Sequence, residues 1–246
     1  MGAITISSEI LEKLATFDTP TIANLIELFE VRPRNTGFTD HRIQACFPDL
    51  PPVVGFASTA TFRSDAPPRS GDAYNSLADQ VSRFAELDGP PVVVFQDLDD
   101  PAAAATFGEV MCSTYKAFGA TGLITSGAGR DLDQVRAIDF PVFTNGTICA
   151  HGYCHTPQTH VPVRIGGIVI HPGDLLHADR NGVTTIPLDI ATELAGIGDE
   201  FIAAENFILD YVRAGNPTPD GLRDAARSCD EAIAALRARV SRHAST

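Results

Sequence analysis

Gly122-Leu123-Ile124-Thr125-Ser126-Gly127-Ala128-Gly129-Arg130-Asp131-Leu132 decides how this chain folds. Gly122 to Thr125 is an apolar run of the length expected for a strand buried on both faces. A Gly-rich turn follows, and Leu132 to Ala137 carries a short helical pattern, so the stretch reads strand, turn, helix. The turn ends on a guanidinium beside a carboxylate. A planar Arg grips a carboxylate through two parallel hydrogen bonds. An Asp at the next position offers a hard oxygen ligand for a divalent cation. Arg130 and Asp131 together suit a 2-keto acid held against a metal.

The same alternation extends outward. Val92-Val93-Val94-Phe95 is a second buried strand, followed by an acidic loop, Gln96 to Ala102, and a helix over Phe107 to Phe118 with Val110, Thr114 and Ala117 on one face. Pro141-Val142-Phe143 is a third strand. Upstream, residues 7 to 29 read as two short helices, the second started by Asp18-Thr19-Pro20. Ile43–Phe47 and Val53–Phe62 read as strands, Asp65–Asp72 as a loop, and Asn75–Leu87 as a helix. Downstream, Val161–Ile165, Ile168–His171, Leu175–Ala178 and Val183–Ile186 are short strands between Gly-Gly, Pro-Gly-Asp and Asn-Gly turns. Two long helices, about 188 to 213 and 219 to 240, close the chain. The second has an apolar stripe of Leu222, Ala226, Cys229, Ile233, Leu236 and Val240, which fits packing either on the body or on another subunit. The expected fold is α/β: a layered α-β-β-α sandwich of the swivelling β/β/α kind with a C-terminal helical extension. Residues 1–214 form one domain in this reading and 215–246 the extension.

Composition narrows the partners. The 246 residues carry 18 Lys and Arg against 31 Asp and Glu, a net charge of −13. That weighs against nucleic acid or an anionic membrane as the main partner, but not against a small anion bound by one Arg in a cleft. No apolar run is long enough to span a bilayer and Met1 opens no signal segment, so the expected location is the cytoplasm. Five scattered cysteines imply no disulfide framework. Neither a strand-linked G-x-G-x-x-G nor a phosphate-binding P-loop is present.

Chemistry is expected beyond the carboxyl ends of consecutive strands, where helix starts offer free N–H groups to anions. Gly108 to Met111 lies at one such start, with Gly108 allowing close backbone approach. Twenty residues separate Glu109 from Arg130, about one helix plus one strand, so the two face one cleft.

With these residues in view, the chain resembles the family of the regulator of ribonuclease activity A and the class II 4-hydroxy-4-methyl-2-oxoglutarate/4-carboxy-4-hydroxy-2-oxoadipate aldolases, over about residues 15 to 195. The resemblance rests on Glu109…Arg130-Asp131, on Pro141-Val142-Phe143, and on the segment from Gly166 to Val183 that contains His171-Pro172-Gly173-Asp174 and Asp179-Arg180-Asn181-Gly182. It implies a lyase releasing pyruvate from a 2-keto acid by aldol cleavage or decarboxylation. Arg130 would bind the pyruvyl carboxylate, Asp131 would ligate Mg²⁺ or Mn²⁺, and Glu109 would support the metal through water. The backbone of Gly108, Glu109, Val110 and Met111 would hold the keto acid, and a homotrimer or hexamer would place the site near an interface. The family's other branch, regulators that bind a ribonuclease, is the second reading, and another enzyme on the same scaffold the third. The chain departs from the pattern at Ser126, at Glu109 where characterised aldolases usually have Asp, and in the extension after 215. It also departs over Thr144 to His155, which lacks a basic residue many aldolases carry; that counts against a second or third substrate carboxylate.

The segment Cys149-Ala150-His151-Gly152-Tyr153-Cys154-His155 has metal-ligand residue types, but its spacing is irregular for structural zinc. His151, Tyr153 and His155 are candidates to contact the other half of the substrate. His171 and His177 read as structural, Asp174 and Asp179 as turn residues, Cys46 and Cys112 as core, and Asp97, Asp99 and Asp100 as a solvated acidic loop.

Overall fold

The computed structural model describes residues 5–68 and 73–242. In chain order its helices are α1 (Ser8–Leu14), α2 (Thr19–Phe29), α3 (Ala73–Ser82), α4 (Glu109–Ala117), α5 (Leu132–Ala137), α6 (Ala191–Arg213) and α7 (Pro219–Val240), with a 3₁₀ turn at Arg83–Glu86. The strands are β1 (Gln44–Ala45), β2 (Val53–Phe62), β3 (Pro91–Asp97), β4 (Ala105–Phe107), β5 (Gly122–Thr125), β6 (Ala128–Gly129), β7 (Val142–Thr144), β8 (Val163–Ile165), β9 (Ile168–Ile170), β10 (Leu175–Asp179) and β11 (Gly182–Ile186).

Seven strands form one sheet in the order β1-β7-β5-β3-β2-β10-β11. Its centre, β2-β3-β5-β7, is parallel because each connection passes through a helix; β1, β10 and β11 join antiparallel. The apolar runs are buried on both faces, as their lack of alternation requires. Along β3, Val93 and Phe95 face the helices while Val92 and Val94 face the β8–β9 hairpin. Two helical groups share the first face. Cys112 and Tyr115 of α4 and Val135 of α5 pack over Phe95 and Leu123, and α1, α2, α6 and α7 pack over Val54, Phe56, Leu175 and Ile186. The layered α/β architecture with a C-terminal helical pair is the expected one.

α7 folds back onto α6 and α2. Leu236 and Val240 enter the core beside Ile22 and Leu194, Arg239 forks onto Glu200 at 2.7 and 2.9 Å, and the Arg242 N–H donates to the Phe29 carbonyl. The stripe is therefore used within the chain at its C-terminal end, whereas Leu222 is 42% exposed.

His177 ties α1 and α2 to β10. Its Nε2–H donates to the Leu14 carbonyl at 3.2 Å, which leaves Nδ1 to accept the Thr19 hydroxyl at 2.9 Å. Burial holds its pKa below the usual His value. Asp179 accepts from Asn181 N–H within its turn and from Thr19 N–H, and Asp174 closes its turn on His171 N–H. The structural assignments of His177, Asp174 and Asp179 hold.

Several details differ from the sequence reading. The expected strand Ile43–Phe47 is paired only at Gln44–Ala45. The Asn75–Leu87 helix ends at Ser82 and tightens into the 3₁₀ turn. Of the loop expected over Asp65–Asp72, residues 69–72 lie outside the described residues. Phe107 belongs to β4, and α4 begins only at Glu109. The face of α4 that faces the core is Cys112 and Tyr115, not Val110, Thr114 and Ala117; Val110 is 62% exposed. An aromatic and a thiol outweigh two β-branched residues, one of them polar, and an alanine as core contacts.

Candidate active site

β4 and β6, two short strands absent from the sequence reading, build the site. They pair in parallel outside the main sheet, and Arg130 N–H donates to the Phe107 carbonyl at 3.1 Å. This lays Gly108, at the start of α4, against Arg130 and Asp131, at the start of α5. Glycines make the approach feasible: a Cβ on Gly129 would lie 2.3 Å from the Phe107 ring, and one on Gly127 would lie 2.3 Å from Asp97 Oδ2. The alternation Gly127-Ala128-Gly129 is thus the sequence signal for β6.

Asp131 occupies the N-cap position of α5 in the left-handed region, φ 55°, yet makes no side-chain cap to its own helix. Its Oδ2 instead accepts the Glu109 N–H at 3.1 Å, at the first turn of α4. A capping carboxylate normally satisfies the helix it starts, so this one joins two helix starts. Arg130 Nε lies 3.8 Å from the same oxygen. Gly108 keeps this corner open, since a Cβ there would sit 2.6 Å from Asp131 Oδ2 and 3.0 Å from Arg130 Nε.

Arg130 lines a pocket of about 430 Å³, open mouth included, with Gly108, Val110 and Met111 from the α4 start. Leu77 and Phe107 form its apolar wall, and His151 and Cys154 its far side. Glu109 is brought to Asp131 through its backbone, with its side chain on the exposed surface.

The 144–155 segment is laid alongside by backbone bonds. Gly129 N–H donates to Gly146 O, Ile148 N–H to Gly129 O and Ala105 N–H to Ala150 O. His151 and Cys154 thereby reach the pocket. The chain then turns at Gly152, φ 51°, and Tyr153 and His155 bond with Ser64 and Arg63 at the end of β2. Tyr153 and His155 do not line the pocket, and Tyr153 is 57% exposed. The His151 ring nitrogen Nδ1 lies 2.8 Å from the Gly152 carbonyl. A carbonyl can only accept, so Nδ1 carries the proton and Nε2 of the neutral ring is left as an acceptor.

Among the described residues no three His, Cys, Asp or Glu side chains cluster as a metal cage. Asp131, 37% exposed, adjoins the pocket through Arg130 and Gly108 rather than lining it, and Glu109 meets it through its backbone N–H. One or two carboxylates with room for several waters is how Mg²⁺ is commonly held. The open side that Gly108 leaves at Asp131 Oδ2 is compatible with that arrangement.

The acidic loop is mostly committed to the backbone. Asp99 Oδ2 accepts from the N–H groups of Ser64 and Asp65, with Arg63 3.5 Å from its other oxygen. Asp97 Oδ1 accepts from Asp99 N–H, while its Oδ2 is buried without a hydrogen-bond partner, and burial raises the Asp97 pKa to about 6. Burial also pushes the Cys46 thiol up to about 11 and Cys112 and Tyr115 further up, so none of the three is a ready nucleophile.

Fold and pocket together define an α/β protein with an Arg-lined pocket at paired helix starts. The chain belongs to the RraA-like family of aldolases and RraA proteins, whose family model matches residues 21–185. A relative from Halalkalibacterium halodurans named "Putative 4-hydroxy-4-methyl-2-oxoglutarate aldolase" is 35% identical over 99 residues, 40% of this chain. The match spans only 47% of that relative's length. A Pseudomonas syringae protein described as uncharacterized superposes with TM-score 0.71 at 21% identity, covering 93% of this chain and 97% of that one. Streptomyces coelicolor RraAS2, described as an unusual member of the RNase ES inhibitor RraA protein family, superposes with TM-score 0.63 at 25% identity, covering 82% of this chain and 96% of that one. Among the described residues no helix is long and apolar enough to cross a membrane.

Proposed function

We propose that this protein is a divalent-metal-dependent lyase that cleaves a 4-hydroxy-2-keto acid, or decarboxylates a related one, to release pyruvate. The observation that carries the reading is Asp131: it leaves its own helix uncapped to bond the start of α4, beside an Arg that brings a fixed positive charge to the pocket wall.

In this reading Arg130 holds the substrate carboxylate by two parallel hydrogen bonds, and the N–H groups at the start of α4 face the keto oxygen. Asp131, with Glu109 through water, would hold Mg²⁺ or Mn²⁺, which when bound supplies a Lewis acid for the developing enolate charge. His151 Nε2 takes the C4 hydroxyl proton. The C3–C4 bond breaks, its electron pair passes to the pyruvyl fragment, and protonation at C3 gives pyruvate. Leu77, Phe107 and Met111 limit water around the charge, strengthening the interaction with Arg130. Assembly as a homotrimer or hexamer belongs to the same proposal.

The test is pyruvate release from oxaloacetate and from 4-hydroxy-2-keto acids, with and without EDTA. Release should stop with EDTA, return with Mg²⁺ or Mn²⁺, and fall by several orders of magnitude in Arg130→Ala and Asp131→Ala. Activity that survives chelation and both substitutions refutes the reading. The likeness to RraAS2 and the charge of −13 favour a second reading, a regulator that covers a basic nuclease surface. Co-purification of a nuclease, with no pyruvate release, would select it.

A further inference from the structure

We infer that Gln80 of α3 and Tyr115 of α4 are a positioning pair: their buried hydrogen bond sets how far the Leu77 wall of the pocket stands from Arg130. The pair thereby selects the length of chain that the pocket accepts beyond the keto carbon. The ligand class is taken from the proposed function, which the inference deepens. Both side chains are 1% exposed, and the Tyr115 ring packs against Phe84 and Phe95, with centroids 6.1 and 6.3 Å away. The Tyr115 O–H donates to Gln80 Oε1 at 2.7 Å, and Gln80 Nε2–H donates to the Ser58 carbonyl of β2 at 3.3 Å. A carbonyl can only accept, so the amide nitrogen is fixed toward Ser58 and the amide oxygen toward the phenol. One side chain of α3 is thus pinned to the sheet and to α4 together.

The pocket lies one helical turn from this clasp on both helices. Leu77 precedes Gln80 by three residues on α3, and Met111 precedes Tyr115 by four on α4, spacings at which side chains share a helix face. Leu77 and Met111 both line the pocket with Arg130. Leu77 and Val81 of α3 are only partly buried against the core. Such apolar contacts are non-directional and let a helix slide. A hydrogen bond weakens steeply with distance and angle, and a buried partner left unpaired is costly. The clasp therefore fixes the height of Leu77 over the site. Releasing it enlarges the space beside Met111, where the chain beyond the keto carbon would lie.

The test separates positioning from mere stability. Gln80→Met with Tyr115→Phe removes both polar partners together, which costs a fold far less than removing one. Pyruvate and 2-oxohexanoate are titrated calorimetrically, with Mg²⁺, into the full wild-type and double-variant chains. The ratio of the 2-oxohexanoate Kd to the pyruvate Kd should fall about tenfold in the double variant, as the longer chain gains room. Leu77→Ala should shift the ratio the same way, and the clasp variants should add little on top of it, because both act on one wall. An unchanged ratio in the folded double variant overturns the inference, and so does a full second shift on top of Leu77→Ala. Should the double variant not fold, Tyr115→Phe alone serves the same comparison, and an unchanged ratio there also overturns it. If the wild type binds neither keto acid, the proposed function falls and the clasp is tested without a ligand. Cys154 lines the same pocket, and its mass-mapped alkylation by iodoacetamide should run several times faster in Tyr115→Phe; an unchanged rate overturns the inference.

Discussion

Gly108→Ala is the most informative substitution in this protein, because it adds one methyl group at the corner where the two helix starts meet. Gly108 has extended backbone, φ −154° and ψ −168°, so alanine meets no backbone penalty there. The whole effect comes from contact. The new Cβ would lie 2.6 Å from Asp131 Oδ2, against about 3.3 Å for a carbon and an oxygen in ordinary contact. Asp131 or the α4 start must therefore move by about 0.7 Å, and Arg130, whose Nε would be 3.0 Å from the same carbon, must yield as well. A displacement near 1 Å in a positioned catalytic group costs roughly 10²-fold in rate, so kcat/KM for pyruvate release should fall about 30- to 100-fold. Stability should change little. The charge-assisted bond from Glu109 N–H to Asp131 is worth about 1.5 kcal/mol, and for a chain of this size that is a Tm shift of about 3–6 °C. Steady-state kinetics beside differential scanning calorimetry separates the two effects. Wild-type kcat/KM in Gly108→Ala would refute the argument that Gly108, Arg130 and Asp131 form one working unit. A collapse of Tm by tens of degrees would show that the corner is structural.

Other substitutions test separate parts of the account. Arg130→Lys keeps the charge but loses the fork, and the KM for the keto acid should rise about 10- to 100-fold with the fold intact by circular dichroism. Asp97 is protonated more readily in the folded chain, about 6, than in an unfolded one, about 4. The folded state thus holds more protons between those values, and the Asp97 contribution to stability declines as pH rises through that window. The full gap corresponds to about 3 kcal/mol, and screening of this half-exposed group reduces it to about 1 kcal/mol. Asp97→Asn should therefore be more stable than wild type above about pH 6 and lose that advantage near pH 4 in urea titrations. Tyr115 donates at 2.7 Å to the buried Gln80 side-chain oxygen, so Tyr115→Phe leaves an acceptor unpaired and should cost about 1–3 kcal/mol in the same titration. Leu236→Ala empties a core position where α7 meets α2 and α6 and should cost about 2–4 kcal/mol if the extension is integral to the fold.

Much of the fold was legible because its elements carry their own local signals. Continuous apolar runs marked β3 and β5, Asp18 and Pro20 marked the start of α2, and the turns after residue 165 marked the four C-terminal strands. What stayed hidden depends on partners distant in sequence. β4 and β6 are three and two residues long and exist as strands only because each pairs with the other; neither segment has a period of its own. The buried face of α4 was misread because its pattern holds two polar-looking positions, and Cys112 and Tyr115 gain their burial from the sheet beneath. The spacing pointed to Glu109, Arg130 and Asp131 facing one cleft; the Glu109 backbone N–H does reach Asp131, but the Glu109 side chain lies on the exposed surface and it is Gly108 that packs against Arg130 and Asp131. The division within the 144–155 segment, with His151 turned to the pocket and Tyr153 and His155 turned to β2, follows from backbone bonds to Gly129, Ala105 and Ser64. Those bonds are side-chain-independent, so residue types could not announce them.

The central claim is that Arg130 and Asp131 hold a keto acid and a divalent cation in one pocket. A crystal structure with Mg²⁺ and pyruvate tests it most directly. The account predicts the pyruvate carboxylate forked on Arg130, the cation on Asp131, and the methyl group pointing toward Met111 and His151. Pyruvate bound elsewhere with this pocket empty, or a cation held away from Asp131, would contradict it.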